Sequence, residues 1–88
     1  DATERARTLK TLEQHIYQQH QTQIFIETPY RNDKLVEELI RNCRPETRLC
    51  IATDLTGPEE SVRTRTLQEW KRSKPALHKK TCIFLLYK

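Results

Sequence analysis

Gln23-Ile24-Phe25-Ile26-Glu27-Thr28-Pro29-Tyr30-Arg31 carries the first decision about the fold. Ile24, Phe25 and Ile26 form a short β-branched and aromatic run that stops at Pro29, the mark of a mostly buried strand. Just beyond the strand, Glu27 to Arg31 bring together a carboxylate, an aromatic ring and a guanidinium. Asn32 can cap a helix running to about Asn42, whose Leu35, Val36, Leu39 and Ile40 make a compact apolar face. Pro45 ends that helix, because proline lacks the amide that would extend it. Arg48-Leu49-Cys50-Ile51-Ala52 is a second core strand, followed by a loop that Gly57-Pro58 marks.

Outward from this strand-helix-strand unit the pattern continues in both directions. Upstream, from Thr3 to His20, Ala6, Leu9, Leu12 and Ile16 recur at steps of three and four and form the narrow stripe of a surface helix. Thr3 is its expected N-cap, with Glu4 complementing the positive helix end. Downstream, Ser61-Val62-Arg63-Thr64-Arg65-Thr66 alternates as a one-sided or edge strand does, and Leu67-Gln68-Glu69-Trp70 begins a short helix. Thr81 to Tyr87 is the most continuous apolar run and is expected to form a central strand. The implied fold class is α/β: a small mixed sheet of about four strands, part parallel and part antiparallel, covered by helices.

Composition narrows the function. Leu, Ile, Val and Phe supply 20 of the 88 residues, slightly above the level of about 20% below which a charged chain stays disordered. One small core follows, and two are excluded. A single glycine, Gly57, cannot build a phosphate-cradling or dinucleotide-binding loop, since such loops spend several glycines within a few residues. Cys43, Cys50 and Cys82 are odd in number and far apart, so buried reduced thiols are expected rather than a zinc site or disulfide framework. No run approaches the ~18 apolar residues of a membrane span, and the first residues show no signal-peptide core, which points to a cytoplasmic protein without a membrane partner. A start at Asp1 and the absence of Met lead to the expectation of a piece of a longer chain.

Charge is placed unevenly within the net +4. Residues 58–88 hold eight Lys and Arg against three Glu, whereas residues 1–57 hold eight against nine acids. Arg63, Arg65, Lys71, Arg72, Lys74, Lys79 and Lys80 therefore form either a phosphate-attracting face or an ordinary solvated surface, and no aromatic residues interleave them to stack on bases. His15 and His20 are five apart and do not share a helix face as zinc ligands do, so they and His78 read as surface residues. The two loops after the core strands, 27–31 and 52–60, lie where open α/β sheets bind ligands, yet Asp, Thr and Pro are equally at home in plain turns.

The blocks Ile24-Phe25-Ile26-Glu27-Thr28-Pro29-Tyr30-Arg31 and Arg48-Leu49-Cys50-Ile51-Ala52-Thr53-Asp54-Leu55-Thr56, joined by a leucine-bearing helix, resemble the C-terminal half of the tetrapyrrole methylase superfamily. The nearest branch is ribosomal RNA small subunit methyltransferase I, with an F-Y-E-S-P-H-R block, then A-R-E-L-T-K, E-E and G-T-L-x-E-L. The matching residues are Phe25, Glu27, Pro29 and Arg31, then Ala52, Leu55, Thr56, Glu60, Thr66, Leu67 and Glu69. Thr53 and Asp54 stand in place of that branch's Arg-Glu, Gly57 in place of its Lys, and Arg65 in place of its Gly. The resemblance implies the C-terminal domain, over residues 1–88, of a two-domain methyltransferase that binds S-adenosylmethionine in the cleft between domains. Its partners would be the N-terminal domain of the same chain, a second copy in a homodimer, and RNA as substrate. By matching motif, Glu27, Thr28, Ala52, Thr53 and Thr81 would border the cofactor, and Arg31, Asp54 and Thr56 would face the substrate. The resemblance identifies no catalytic base and no metal ligand, and it implies that the chain is inactive without its N-terminal domain. The rival reading is a noncatalytic basic module that binds RNA with its last third.

Overall fold

The computed structural model describes residues 2–77 and 79–88. Its elements follow in the order α1 (Ala2–Gln19), β1 (Gln23–Ile26), α2 (Asn32–Asn42), β2 (Arg48–Thr53), β3 (Ser61–Thr66), α3 (Leu67–Arg72) and β4 (Cys82–Tyr87). The four strands form one sheet in the order β1-β4-β2-β3.

Every pairing in that sheet is antiparallel, so the expected parallel pairing does not occur. β1 and β2 do run in the same direction, as a strand-helix-strand unit requires. β4 slots between them and pairs with both, Ile83 lying opposite Ile26 on one side and Ala52 on the other. The most apolar strand thus takes a middle position, where both of its edges and one full face are covered. β3, with its alternating charges, takes an outer edge as its pattern suggested.

Side chains alternate across the sheet, and the helices cover one face only. Phe84 and Leu49 are fully buried on the covered face, in one core with Ile16 of α1, Leu39 of α2 and Trp70 of α3. Each such side chain contributes about 1.5–3 kcal/mol through removal of apolar area from water. On the opposite face Ile24, Ile26 and Val62 are 64%, 76% and 58% exposed.

The helix ends depart from the sequence reading in two places. Thr3 lies inside α1 rather than capping it, because the helix is already formed at Ala2. At α2 the cap position falls on Arg31, which makes no side-chain cap, and Asn32 is the first helical residue. Its side chain turns inward instead, for a reason that belongs to the loops described below. α3 carries a full capping box: the Thr66 hydroxyl accepts from the Glu69 amide at 3.2 Å, and the Glu69 carboxylate accepts from the Thr66 amide at 2.9 Å. The hydrogen bonds from Thr66 hold the Glu69 carboxyl below its usual range.

The turn between α2 and β2 is fixed by a buried carboxylate that the narrow stripe of α1 did not reveal. Glu13 accepts from the Arg44 amide and from the Thr47 hydroxyl, both at 2.7 Å. Thr47 has then spent its proton, so the Tyr17 hydroxyl donates to it at 2.8 Å. In turn, Pro45 and Thr47 offer their carbonyls to the first amides of α3, Gln68 and Leu67. Beside this network burial, reinforced by the Glu13 charge, pushes the Cys43 thiol up to about 12, so it is inert packing at neutral pH. Cys50 and Cys82 are likewise buried and unbridged.

Candidate functional site

Because β1 and β2 point the same way and β4 opposes them, the ends of β1 and β2 and the start of β4 lie at one end of the sheet. Three stretches therefore meet there: 27–31, 54–60 and 79–81. Cross-strand hydrogen bonds extend the meeting beyond the strands themselves. The Asp54 amide donates to the Thr81 carbonyl at 3.0 Å, and the Lys79 amide donates to the Pro29 carbonyl at 3.2 Å.

Asn32 is the anchor of this end. Completely buried, it donates from Nδ2 to the carbonyls of Lys80 and Leu77 at 2.6 and 3.2 Å and contacts Cys82 Sγ at 3.3 Å. Two carbonyls on one side dictate that the nitrogen faces them, which leaves Oδ1 without a partner among the described residues. The α2 start is thereby tied to the loop that carries Thr81. In sequence an asparagine just before a helical stripe is indistinguishable from a cap, so no local signal announced this role.

The first loop is a tight turn. The Arg31 amide donates to the Thr28 carbonyl at 2.9 Å, with Pro29 in the second position where its fixed φ suits a turn. Glu27, at the end of β1, sits between two guanidinium groups, Arg31 at 3.5 Å and Arg5 at 3.7 Å. Arg5 is itself held as a fork by Glu38, through bonds of 2.8 and 2.9 Å. These bonds hold the Glu38 carboxyl below its ordinary range and raise the Arg5 guanidinium above its own. Glu27 and Arg5 line a hollow of about 310 Å³ with Leu9, Leu12 and Phe25, between α1 and β1.

The second loop is organised by its own acids. Asp54 adopts a φ of 48° and its carboxylate accepts from the Glu59 amide at 3.0 Å. Thr56 sits at a φ of 64°, a left-handed conformation that costs a β-branched residue roughly 1–2 kcal/mol, and Glu60 holds it by accepting its amide at 2.8 Å. Gly57 is required here for space: a Cβ would overlap the Asp54 carboxylate. Its single occurrence in the chain thus serves a turn.

Among the residues singled out from sequence, Asp54 and Thr81 share a small hollow of about 230 Å³ with Glu59, Lys79 and Lys80. Thr53 is buried on the helix side of β2, and its hydroxyl donates weakly to the Ser61 carbonyl at 3.4 Å. Ala52 is buried, and by alternation it belongs to the opposite face. Thr28 and Thr56 are exposed, and Arg31 is half-buried on Glu27. The three loops converge, but their side chains line separate hollows rather than one pocket. His78 lies outside the described residues. Of the basic cluster, Arg63, Arg65, Lys74 and Lys80 share one groove, while Lys71 and Arg72 line another hollow beside Pro45 and Leu67. Among the described residues no three His, Cys, Asp or Glu side chains are grouped to hold a metal ion, and no helix is long and apolar enough to cross a membrane.

No family model matches the chain, and no curated protein matches it. Among solved structures it is similar to the crystal structure of the methyltransferase CobJ, with a TM-score of 0.56 and 17% sequence identity over 93% of this chain. The similarity covers 35% of the CobJ chain, so this chain spans about a third of that protein's length. An identity this low carries the fold and not the roles of residues. The chain thus has a mixed α/β fold similar to that of one segment of CobJ.

Proposed function

We propose that this chain is the C-terminal part of an S-adenosylmethionine-dependent methyltransferase of the tetrapyrrole methylase type, with ribosomal RNA as methyl acceptor. The observation that carries the reading is the match of 93% of the chain to one segment of a methyltransferase fold. The sequence blocks at the ends of β1 and β2 support it, since the fold brings those two loops to the same end of the sheet.

Of the residues this reading assigns to the cofactor, Thr81 lines the hollow beside Asp54, whereas Glu27 lines the hollow between α1 and β1. The hollow beside Asp54 and Thr81, at about 230 Å³, falls below the roughly 300–1,000 Å³ of ligand pockets, as expected if an N-terminal domain of the same chain supplies the other wall. In this reading Glu27, Thr28, Ala52, Thr53 and Thr81 border the cofactor, with a carboxylate and hydroxyls matched to its hydroxyl and ammonium groups. The bound cofactor supplies an electrophilic methyl group. Arg31, Asp54 and Thr56 face the acceptor; Arg31 offers a planar donor fork to a phosphate, and Glu27 orients that fork. Catalysis of this kind rests on positioning and desolvation of the reacting pair. The enzyme works as a cytoplasmic homodimer, in which the open sheet face is available for association.

The test is methyl transfer from labelled S-adenosylmethionine by the full-length protein, scored in ribosomal RNA, protein and small-molecule fractions. Label is expected in the ribosomal RNA. Label confined to protein or small molecules retires the RNA assignment, and no label in any fraction sinks the methyltransferase reading.

A further inference from the structure

β3 carries its charges on the unexpected face. In an antiparallel pair, directly opposed residues share a face, and Arg63 and Arg65 oppose Ile51 and Leu49, which are buried under the helices. Val62 and Thr64 take the open side instead, and Val62 is exposed there. An edge strand that only needed a solvated charged face would place its arginines outward and its valine inward. This strand does the reverse.

The consequence is a polar groove of about 420 Å³ along the covered face, between β3 and the 73–77 segment. Arg63, Arg65, Lys74 and Lys80 line it, against Glu59 as its one acid. Among the described residues no salt bridge engages Arg63, Arg65 or Lys80, and Lys74 has only a 3.9 Å approach to Glu37. Arg65 is held in place: its guanidinium lies 5.2 Å from the centre of the Trp70 ring, and Trp70 is buried and fixed by its Nε1–H bond to the Leu49 carbonyl at 2.9 Å. Like charges gathered in this way repel, and a multiply charged anion relieves the repulsion. A single carboxylate would leave most of these cations uncompensated, whereas a phosphomonoester or pyrophosphate brings close to two charges or more, and a phosphodiester chain brings one at each successive phosphate, with oxygens that match the arginine fork.

We infer that the groove between β3 and the 73–77 segment is a binding site for the phosphate groups of a ligand, with Arg63 and Arg65 as its principal contacts. It adjoins the hollow beside Asp54 and Thr81, with which it shares Glu59 and Lys80, but Arg63 and Arg65 are not among the residues assigned to methyl transfer, and phosphate binding there is read without any methyl transfer. The phosphate belongs either to a small free ligand or to a phosphodiester chain, and two probes distinguish these sources: inorganic pyrophosphate and a short single-stranded RNA.

Binding of each probe is measured by calorimetry on the full-length protein, its Arg63→Gln/Arg65→Gln variant, and an Arg41→Gln/Arg48→Gln control of equal net charge. The groove variant is expected to bind its probe at least about tenfold more weakly, a loss of about 1.4 kcal/mol, while the control stays near the parent. For RNA, the slope of log K against log salt should also fall by about 0.7 for each arginine removed. Because Arg65 packs on Trp70, Arg63→Gln alone repeats the measurement without touching that contact, and Arg63→Lys should recover part of the loss. Selective loss with pyrophosphate assigns a small phosphorylated ligand; selective loss with RNA only assigns a phosphodiester. Equal losses in groove and control variants, or no binding of either probe by the parent, overturn the proposal.

Discussion

Replacing Asn32 perturbs the point where the loops of the candidate site are tied together. Asn32→Ala removes the donors to the Leu77 and Lys80 carbonyls. The Leu77 bond is buried, so its acceptor is left unsatisfied at a cost of about 1–3 kcal/mol, while the part-buried Lys80 carbonyl recovers some hydration and loses nearer 1 kcal/mol. The expected destabilisation is about 2–4 kcal/mol in urea unfolding. Amide exchange at Lys79 should accelerate as well, since its bond to the Pro29 carbonyl depends on the same tether. Asn32→Asp has nearly the same shape but sets carboxylate oxygens against two carbonyls, so at neutral pH it should cost more than alanine. Burial raises that carboxyl above its unfolded value of about 3.9, and protonation restores one donor. The sign follows: the deficit of Asn32→Asp shrinks as pH falls and grows as pH rises through the folded value. An alanine variant within about 0.5 kcal/mol of the parent, or an aspartate variant whose deficit deepens in acid, would refute the tether.

The Arg5–Glu38 fork gives an acid-sensitive contact between α1 and α2. Because its bonds lower the folded Glu38 carboxyl, the stability they add is present above the unfolded carboxyl value and is lost as pH falls through the folded one; Glu38→Gln should flatten that acid limb in a pH series of unfolding measurements. Arg31→Lys should lower methyl transfer by about tenfold or more, roughly 1.4 kcal/mol, with little change in Tm, since its 3.5 Å pairing with Glu27 is half-exposed, is worth about 1 kcal/mol at most, and keeps a positive charge in the variant. A large fall in Tm would instead make Arg31 a structural ion-pair partner. The open sheet face should drive self-association, and Ile24→Glu/Ile26→Glu should abolish it in sedimentation; association that survives both substitutions places the interface elsewhere.

Local pattern was enough to place all seven elements, because each depends on neighbours a few residues away: the stripe of α1, the apolar face of α2, the stops at Pro29 and Pro45, and the run that became β4. The edge position of β3 and the middle position of β4 were also legible, but β1, whose Ile24-Phe25-Ile26 run read as mostly buried, is the other edge strand with both isoleucines exposed. Strand neighbours were not legible. An apolar run marks a strand but not which partners flank it, and the insertion of β4 between β1 and β2 turned an expected mixed sheet antiparallel. Alternation along β3 likewise separated its arginines from Val62 and its threonines without saying which set faces the helices, since a period of two is symmetric until pairing fixes the face. Asn32 was misread, and Glu13 passed without notice, for a related reason. A polar side chain on a helix looks solvated or capping in sequence, and only contacts 31 to 50 residues away reveal that its partners are buried with it. The loops of the candidate site were visible as strand ends, but their convergence depended on strand direction, which is settled by pairing across the whole chain and by no single stretch of it.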